Sequence, residues 1–302
     1  MTQPSAVRGL WCATLTPLDH DGNIDLARFS QHVKGLLVRG VDGVVPFGTS
    51  GEGPSFSVDE RTAGLDGLLS AGIRPDRIVP ATGCAAIADT VTLTRHALRN
   101  GCSRCLVVPP FFWKGLSDEA LFHHYAAVID AVGDSRLRVY LYHIPQVSGV
   151  PIQPETIVRL ADTYPGIIEG VKDSGADFSH TAALVKRLPQ LSVLTGYEPH
   201  LPSLMKRGCA GTICGVANLW PSLIAALLTP GESQGDELRV QAFLDIVHPY
   251  SFVPALKAIL ASQTGDPTWC AVRPPLLPLT EAERKRLILA LEQAGLRFAA
   301  GR

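Results

Sequence analysis

The sequence has no excess of either charge and no long hydrophobic run, and each absence excludes a class of protein. Its 27 Lys and Arg residues balance 28 Asp and Glu residues, which leaves a formal net charge of -1. A chain without net positive charge has no general attraction to a phosphate backbone, so we expect no nucleic-acid partner. No apolar stretch approaches the roughly 18 residues that a membrane span needs, so we expect no membrane partner.

The start of the sequence has no apolar segment that resembles an export signal. The seven cysteines are an odd number, and we interpret them as reduced thiols in a cytoplasmic protein. Cys102 and Cys105 form a lone C-x-x-C without the second pair that a structural zinc site uses. We therefore expect buried apolar side chains there, and no metal site.

Eight short apolar runs alternate with longer segments of helical pattern. The runs are continuous, which is typical of parallel strands covered on both faces. Eight successive β-then-α units predict an α/β fold, the (β/α)8 TIM barrel. The alternative is an open doubly wound sheet, which needs a glycine-rich turn after the first strand, where this chain reads Thr14-Leu15-Thr16-Pro17. The predicted strands are 9–17, 43–48, 77–83, 104–110, 138–145, 167–173, 192–198 and 210–216, and the predicted helices between them are 25–39, 58–71, 87–100, 118–132, 154–164, 179–187 and 200–207.

Two domains are expected along the chain. Residues 1–230 would form the barrel that carries the active site, and residues 231–302 a C-terminal helical extension. Within the extension, helical patterns at 235–262 and 280–299 are joined by a proline-bearing segment.

Lysine is scarce, with seven residues in 302, so the position of each is informative. The active site of such a barrel lies at the carboxyl ends of its strands, and only Lys172 ends a predicted strand. An ammonium group there is costly to desolvate, and the neutral amine can attack a carbonyl carbon to form a Schiff base. The alternative is a structural salt bridge to Glu169 or Asp173. Five other lysines lie in helical patterns, where we expect solvated positions: Lys34, Lys186, Lys206, Lys257 and Lys285.

The loop at 48–52 suits a small carboxylate. Gly48 and Gly51 allow a tight turn with a close approach to a ligand. Thr49 and Ser50 add hydroxyls, and the turn can aim amide N–H groups at an anion. The alternative is an ordinary connecting loop.

Tyr142 lies near the end of the fifth predicted strand and shares a face with Tyr140. It could relay protons beside Lys172, or it could simply fill the core. His143 should point to the opposite face, toward the helices, so we do not expect it to be a catalytic base.

Four segments, in order and over nearly the whole chain, resemble motifs of the dihydrodipicolinate synthase / N-acetylneuraminate lyase family of Schiff-base aldolases. They are Ala-Thr-Leu-Thr-Pro at 13–17, Gly-Thr-Ser-Gly-Glu at 48–52, Tyr-His-Ile-Pro with a following Ser-Gly at 142–149, and Gly-Val-Lys-Asp-Ser at 170–174. The resemblance implies the barrel fold and an enzyme that joins or cleaves pyruvate and an aldehyde, with no metal and no organic cofactor. It also implies a homo-oligomer, a tetramer built as a dimer of dimers.

The resemblance implies a role for each matching residue. Lys172 would form the imine with C2 of pyruvate or another 2-oxo acid, Tyr142 would shuttle protons, and Thr49 would pass protons to Tyr142. The remaining residues would bind substrate: Gly48, Ser50 and Gly51 the carboxylate, and Ile213 through its backbone carbonyl.

Two departures from the synthase motifs point to a different aldehyde or to the cleavage direction. Val147 stands where the synthase has the arginine that anchors its second substrate, and Phe111-Phe112 replaces a tyrosine pair. Phe111 to Trp113 form an apolar cluster that could be an interface or could cap the barrel.

Other branches of the family match in part. The sialate lyase segment at 195–198 is followed by Pro199 in place of an acid. The branch acting on 2-keto-3-deoxy sugar acids shares the Gly-Pro-Ser at 53–55 and the Arg-Pro-Pro at 273–275. Ser174, Gly196 and Glu198 would then contact substrate hydroxyls, unless Glu198 is a surface loop acid.

Four functions therefore stay open. The first is a lyase for a 2-oxo acid with a hydroxylated tail, such as a 2-keto-3-deoxy sugar acid. The second is a dehydratase of such an acid that uses the same imine. The third is dihydrodipicolinate synthase itself, and the fourth is a non-catalytic 2-oxo acid-binding protein.

Overall fold

Parallel strands form one curled sheet in this computed structural model, which describes residues 6–229 and 234–296. Within those residues seven strands follow the order β2-β1-β7-β6-β5-β4-β3 around the sheet. The predicted α/β barrel is confirmed. The strands are β1 (Gly9–Cys12), β2 (Gly43–Val44), β3 (Arg104–Val107), β4 (Arg138–His143), β5 (Ile168–Asp173), β6 (Ser192–Thr195) and β7 (Gly211–Cys214).

The third predicted strand, 77–83, is not a regular strand, and the segment 78–82 takes its place between β2 and β3. Parallel bridges join Val44 to Ile78 and Ala81 to Leu106. Pro80 has no N–H to donate, so the ladder is interrupted and no regular strand forms. Its carbonyl still accepts from the Leu106 N–H at 3.0 Å. The bridges on both sides close the barrel.

Twelve helices are present in the described part of the chain. Side-chain caps fix the start of several, as Ser57 does by accepting a hydrogen bond from the Glu60 N–H in a capping box. Their bounds are α1 (Leu26–Val38), α2 (Val58–Ser70), α3 (Ile87–Arg99), α4 (Asp118–Val132), α5 (Pro145–Ser148), α6 (Pro154–Thr163), α7 (Phe178–Arg187), α8 (Leu201–Met205), α9 (Pro221–Ala226), α10 (Gln234–Val247), α11 (Phe252–Thr264) and α12 (Glu281–Gln293).

The helical pattern at 235–262 is two helices, so the single segment expected from the sequence is wrong. The chain bends by 110° between α10 and α11. Pro254 explains why α11 starts anew, because proline lacks the N–H of a helix interior and is tolerated only in a first turn.

The C-terminal extension packs α10 and α11 against α12. Its expected boundary with the barrel, between residues 230 and 231, lies outside the described residues, as do the chain ends at 1–5 and 297–302. Among the described helices none is by itself long and apolar enough to cross a membrane, and α10 and α11 meet the length and composition criteria only as a bent pair.

The barrel interior is filled by alternate residues of the strands. Tyr140 and Tyr142 of β4 point inward, together with Leu194 and Ile213 of β6 and β7. The intervening Leu141 belongs to the outer layer, between sheet and helices. Since side chains alternate along a strand, the inward positions at the carboxyl ends of β4 and β5 are those of Tyr142 and Lys172.

Candidate active site

Lys172 and Tyr142 lie side by side at the carboxyl ends of β5 and β4. The two residues are register partners in the parallel pair. The Lys172 Nζ lies 4.2 Å from the centroid of the Tyr142 ring, and both side chains are buried. An amine in contact with an aromatic face is held in place with little water around it.

No ion pair in the described residues joins Lys172 to a neighbouring acid, so the salt-bridge alternative is wrong. Glu169 instead pairs with Arg104, whose Nε lies 2.7 Å from its carboxylate. Asp173 points outward and accepts from the Thr181 hydroxyl at 2.8 Å. Glu169 also accepts from the hydroxyl of inward-facing Tyr140 at 2.8 Å, so of the two acids only Asp173 belongs to the layer around the barrel.

Thr49 brings the loop after β2 to the Tyr142 hydroxyl. The two oxygens are 3.2 Å apart, within hydrogen-bonding distance. The loop is tight: a Cβ at position 51 would lie 2.8 Å from the Phe47 nitrogen, and Phe47 and Glu52 both have positive φ angles. Gly51 therefore has no substitute here, while Gly48 has open space around its Cα.

Ser50 and Ile213 are also buried at this end of the barrel. Ser50 lies against Gly215, where an added Cβ would stand 3.0 Å from its hydroxyl oxygen. Ile213 belongs to the inner cluster that contains Tyr142. The structure thus brings together the lysine, the tyrosine and the loop hydroxyls from separate segments of the chain.

Comparison with known proteins identifies the family. The sequence profile of the Dihydrodipicolinate synthetase family matches residues 6–294. The chain belongs to this family. It is 36% identical to an uncharacterized DapA-like lyase of Chloroflexus aurantiacus, over 97% of this chain and 98% of the other. It is 30% identical to a 4-hydroxy-tetrahydrodipicolinate synthase of an Acidovorax strain, over 98% of this chain and 100% of that one.

Solved structures of the family share the fold. The crystal structure of dihydrodipicolinate synthase from Agrobacterium tumefaciens has a TM-score of 0.90 and 33% identity, covering 95% of this chain and 99% of its own. That of the prophage protein YagE from E. coli, in complex with pyruvate, has a TM-score of 0.86 and 26% identity, covering 97% and 100%. This dihydrodipicolinate synthetase-family protein is therefore a Schiff-base-type lyase.

Glu198 is buried and is not the surface acid of the alternative interpretation. It is 3% exposed. Burial raises the pKa of its carboxyl group, against the opposing effects of hydrogen bonds from the Cys214 thiol and the Val216 N–H and of the Lys172 charge. Gly196 leaves room for the side chain of Ser174, because a Cβ at position 196 would clash with the Ser174 hydroxyl.

Sequence reasoning missed a buried ion pair behind the family's Gly-Thr-Ser-Gly-Glu loop. The Lys257 Nζ lies 2.5 Å from a Glu52 carboxylate oxygen, and neither side chain is exposed. The expectation of a solvated Lys257 is wrong. The apolar sequence around Lys257 could have indicated its burial, because a helix that is apolar all round is normally buried. In the structure, residues 253–261 of α11 are all buried.

His143 faces the helices, as predicted, and joins a cluster on the outer side of the barrel. Its ring stacks on His180 at 4.2 Å between centroids, and its Nδ1 accepts the Ile152 N–H at 3.1 Å. The proton of neutral His143 is then on Nε2, which leaves no lone pair for a metal. Both ring nitrogens of His180 face acceptors, on Asp173 and Ile152, and its hydrogen bond to Asp173 raises its pKa against the effect of burial. These residues form a hydrogen-bonded cluster that does not fit a metal ion.

Proposed function

We propose that this protein joins or cleaves pyruvate and an aldehyde through an imine on Lys172. One observation carries the proposal: the Lys172 amine lies against Tyr142, and Tyr142 is hydrogen-bonded to Thr49. A nucleophile beside a proton-transferring group is the arrangement that covalent catalysis needs. The pyruvate bound in the related YagE structure supports the same chemistry.

Imine formation is the first step. The neutral Lys172 amine attacks C2 of the 2-oxo acid, and the C2 oxygen leaves as water with a proton from Tyr142. Ser50 and the amides of the loop at Gly48 and Gly51 would hold the carboxylate, which orients C2 toward the amine. The backbone carbonyl of Ile213 would lie beside the bound acid.

Bond cleavage then follows from the positive imine nitrogen. The Tyr142 phenolate takes the proton of the C4 hydroxyl, and that O–H electron pair completes the aldehyde carbonyl. The C3–C4 pair becomes the double bond of an enamine. Tyr142 returns the proton to C3, and water hydrolyses the imine to release pyruvate and restore Lys172. Thr49 keeps Tyr142 oriented for each transfer.

Ser174, Gly196 and Glu198 belong to the version of this function in which the tail is hydroxylated, as in a 2-keto-3-deoxy sugar acid. Loss of a C4 hydroxyl from the same imine would make the enzyme a dehydratase. Product analysis separates the two, because cleavage yields pyruvate and dehydration yields a dioxo acid.

Borohydride reduction in the presence of pyruvate tests the proposal. We expect a single covalent adduct that peptide mapping assigns to Lys172, and none in Lys172→Met. Lys186→Met, which removes an exposed lysine of α7, is the matched control and should retain the adduct. A folded protein without an adduct on Lys172 would overturn the mechanism and favour a non-catalytic binding protein.

A further inference from the structure

A cavity adjoins the Tyr142–Thr49 pair, and both of these residues line it. Its volume is about 220 Å³. The apolar part of its lining consists mainly of Phe47, Ala81, Leu106, Val108, Phe111 and Val147. Two of these are the departures from the synthase motifs, so the cavity has lost an arginine and a tyrosine hydroxyl relative to that enzyme.

The lining has very few polar groups, and those are already engaged. None of the described residues that line the cavity is charged. The Ser148 hydroxyl is bonded to the Ile144 carbonyl at 3.0 Å and accepts from the Val150 N–H at 3.1 Å. Lys114 lies across the two loops beside the cavity, and its ammonium donates to the carbonyls of Phe111 and Ser148.

Thr49 and Tyr142 are therefore the polar end of an otherwise apolar space. A ligand with one oxygen at this end, and hydrocarbon beyond it, matches the lining. A hydroxylated tail would lose its water without finding new hydrogen-bond partners, and burial of an unpaired hydroxyl is unfavourable. For two or three such hydroxyls, this unfavourable free energy would exceed the favourable free energy of burying the tail's few carbon atoms.

Size agrees with a ring or a short chain. An apolar cavity of about 150 Å³ is large enough for benzene, and this one has 220 Å³. We infer that the second substrate of this lyase is an aldehyde with an apolar tail, an aromatic or a linear aliphatic one, seated between Phe111 and Val147. The inference rests on the proposed function, since it names the aldehyde for the same imine.

A homologous series of aldehydes tests the inference on the wild-type enzyme. Condensation with pyruvate is measured for acetaldehyde, propanal, butanal, pentanal and benzaldehyde, with D-glyceraldehyde as the hydroxylated comparison. Each added methylene should raise kcat/KM about fourfold until the cavity is full, which corresponds to about 0.8 kcal/mol per buried methylene. Pentanal and benzaldehyde should exceed D-glyceraldehyde by at least tenfold.

A charge placed in the cavity gives an independent test. Val147 is 59% exposed at the rim, so Val147→Arg should fold. We expect it to lower kcat/KM for pentanal at least tenfold and to raise it for succinic semialdehyde, whose far end is a carboxylate. Val38→Arg, at an exposed valine of α1, is the matched control and should change neither value.

The outcomes separate the two claims. If borohydride with pyruvate labels Lys172 but D-glyceraldehyde or a 2-keto-3-deoxy sugar acid reacts as well as pentanal, the apolar class is wrong and the proposed function stands. A labelled enzyme that consumes no apolar aldehyde also overturns the class. If Lys172 is not labelled, the proposed function fails and the inference fails with it.

Discussion

Two buried ionisable side chains, Lys172 and Glu198, share the carboxyl end of the barrel. The charge of Lys172 favours ionised Glu198, but burial has the larger effect and raises the pKa of the acid. A carboxyl group in this state is a proton donor at a higher pH than an exposed glutamate.

Glu198→Gln should change the pH dependence of stability. Because the pKa of Glu198 is higher in the folded protein than in the unfolded chain, the acid's contribution is fully present below the unfolded pKa and is lost as pH rises through the folded value. The amide cannot ionise, and its oxygen can still accept from Cys214 and Val216. We expect the variant to be more stable than the wild type at pH 8, and the difference to shrink toward pH 4.

Urea unfolding of both proteins at the two pH values measures this effect. Glu292→Gln, at an exposed glutamate of α12, controls for the loss of one negative charge. Equal midpoints for Glu198→Gln and the wild type at pH 8 would contradict a raised pKa.

The sequence predicts the position of Lys172 but not the state of Glu198. A lysine that ends a buried strand is visible in one segment, and so is the loop that carries Thr49. The burial of Glu198 depends on the thiol of Cys214 and the amide of Val216 in the next β/α unit. A single acid in a loop carries no signal of such distant donors.

At the level of elements, α11 of the extension supports the loop of the active site. Lys257 of α11 forms an ion pair with Glu52 and also donates to the Ala271 carbonyl at 2.7 Å. The other Glu52 oxygen accepts from the Arg273 N–H at 2.7 Å. These contacts fix the end of the loop whose first residues are Gly48 and Thr49.

Lys257→Met should destabilise the protein and weaken pyruvate binding. Removing one partner of a buried ion pair leaves an uncompensated charge, which costs about 3–5 kcal/mol. We expect that loss in urea unfolding and a higher KM for pyruvate, because the loop end loses its anchor. Adding Glu52→Gln should restore most of the stability, since the buried charge is then gone.

Lys285→Met is the matched control, because Lys285 pairs with Glu281 on the exposed face of α12. Surface ion pairs contribute little, so its stability and KM should equal those of the wild type. A Lys257→Met variant as stable as this control would show that the pair does not hold the loop.

Strand and helix order was predictable because apolar runs and caps are local signals. Two elements were not. The segment 78–82 closes the barrel without a regular strand, since Pro80 breaks the ladder although its neighbours are apolar. The 235–262 pattern does not indicate the 110° bend between α10 and α11. Helical periodicity shows which face of a helix is buried, but not where the helix axis changes direction.

At the scale of the whole molecule, contacts between distant parts of the chain were the least predictable. Glu52 and Lys257 lie more than 200 positions apart. Nothing in the sequence around either residue indicates that the other is its partner. The barrel itself could be predicted because the β-then-α pattern occurs eight times along the chain, and each occurrence indicates the same fold. A single ion pair between barrel and extension has no such repetition.

One exposed apolar patch remains, formed by Phe112 and Trp113 in the loop after β3. Their side chains are 69% and 66% exposed, and their rings meet edge to face at 5.3 Å. Phe111, the third residue of the predicted cluster, lines the cavity beside Tyr142, whereas Phe112 and Trp113 face solvent. Adjacent exposed aromatics are typical of surfaces that bind another protein, and the family resemblance predicts a tetramer.

The double variant Phe112→Ser/Trp113→Ser should therefore form smaller species than the wild type. Truncation of an aromatic side chain that is a hot spot of an interface costs about 2 kcal/mol or more, and a loss of this size shifts the equilibrium toward dimer or monomer at micromolar concentration. Sedimentation velocity measures the distribution. Val38→Ser and Leu277→Ser, at other exposed apolar positions, should leave it unchanged. An unaltered tetramer in the double variant would place the interface elsewhere, and a monomeric wild type would refute the tetramer itself.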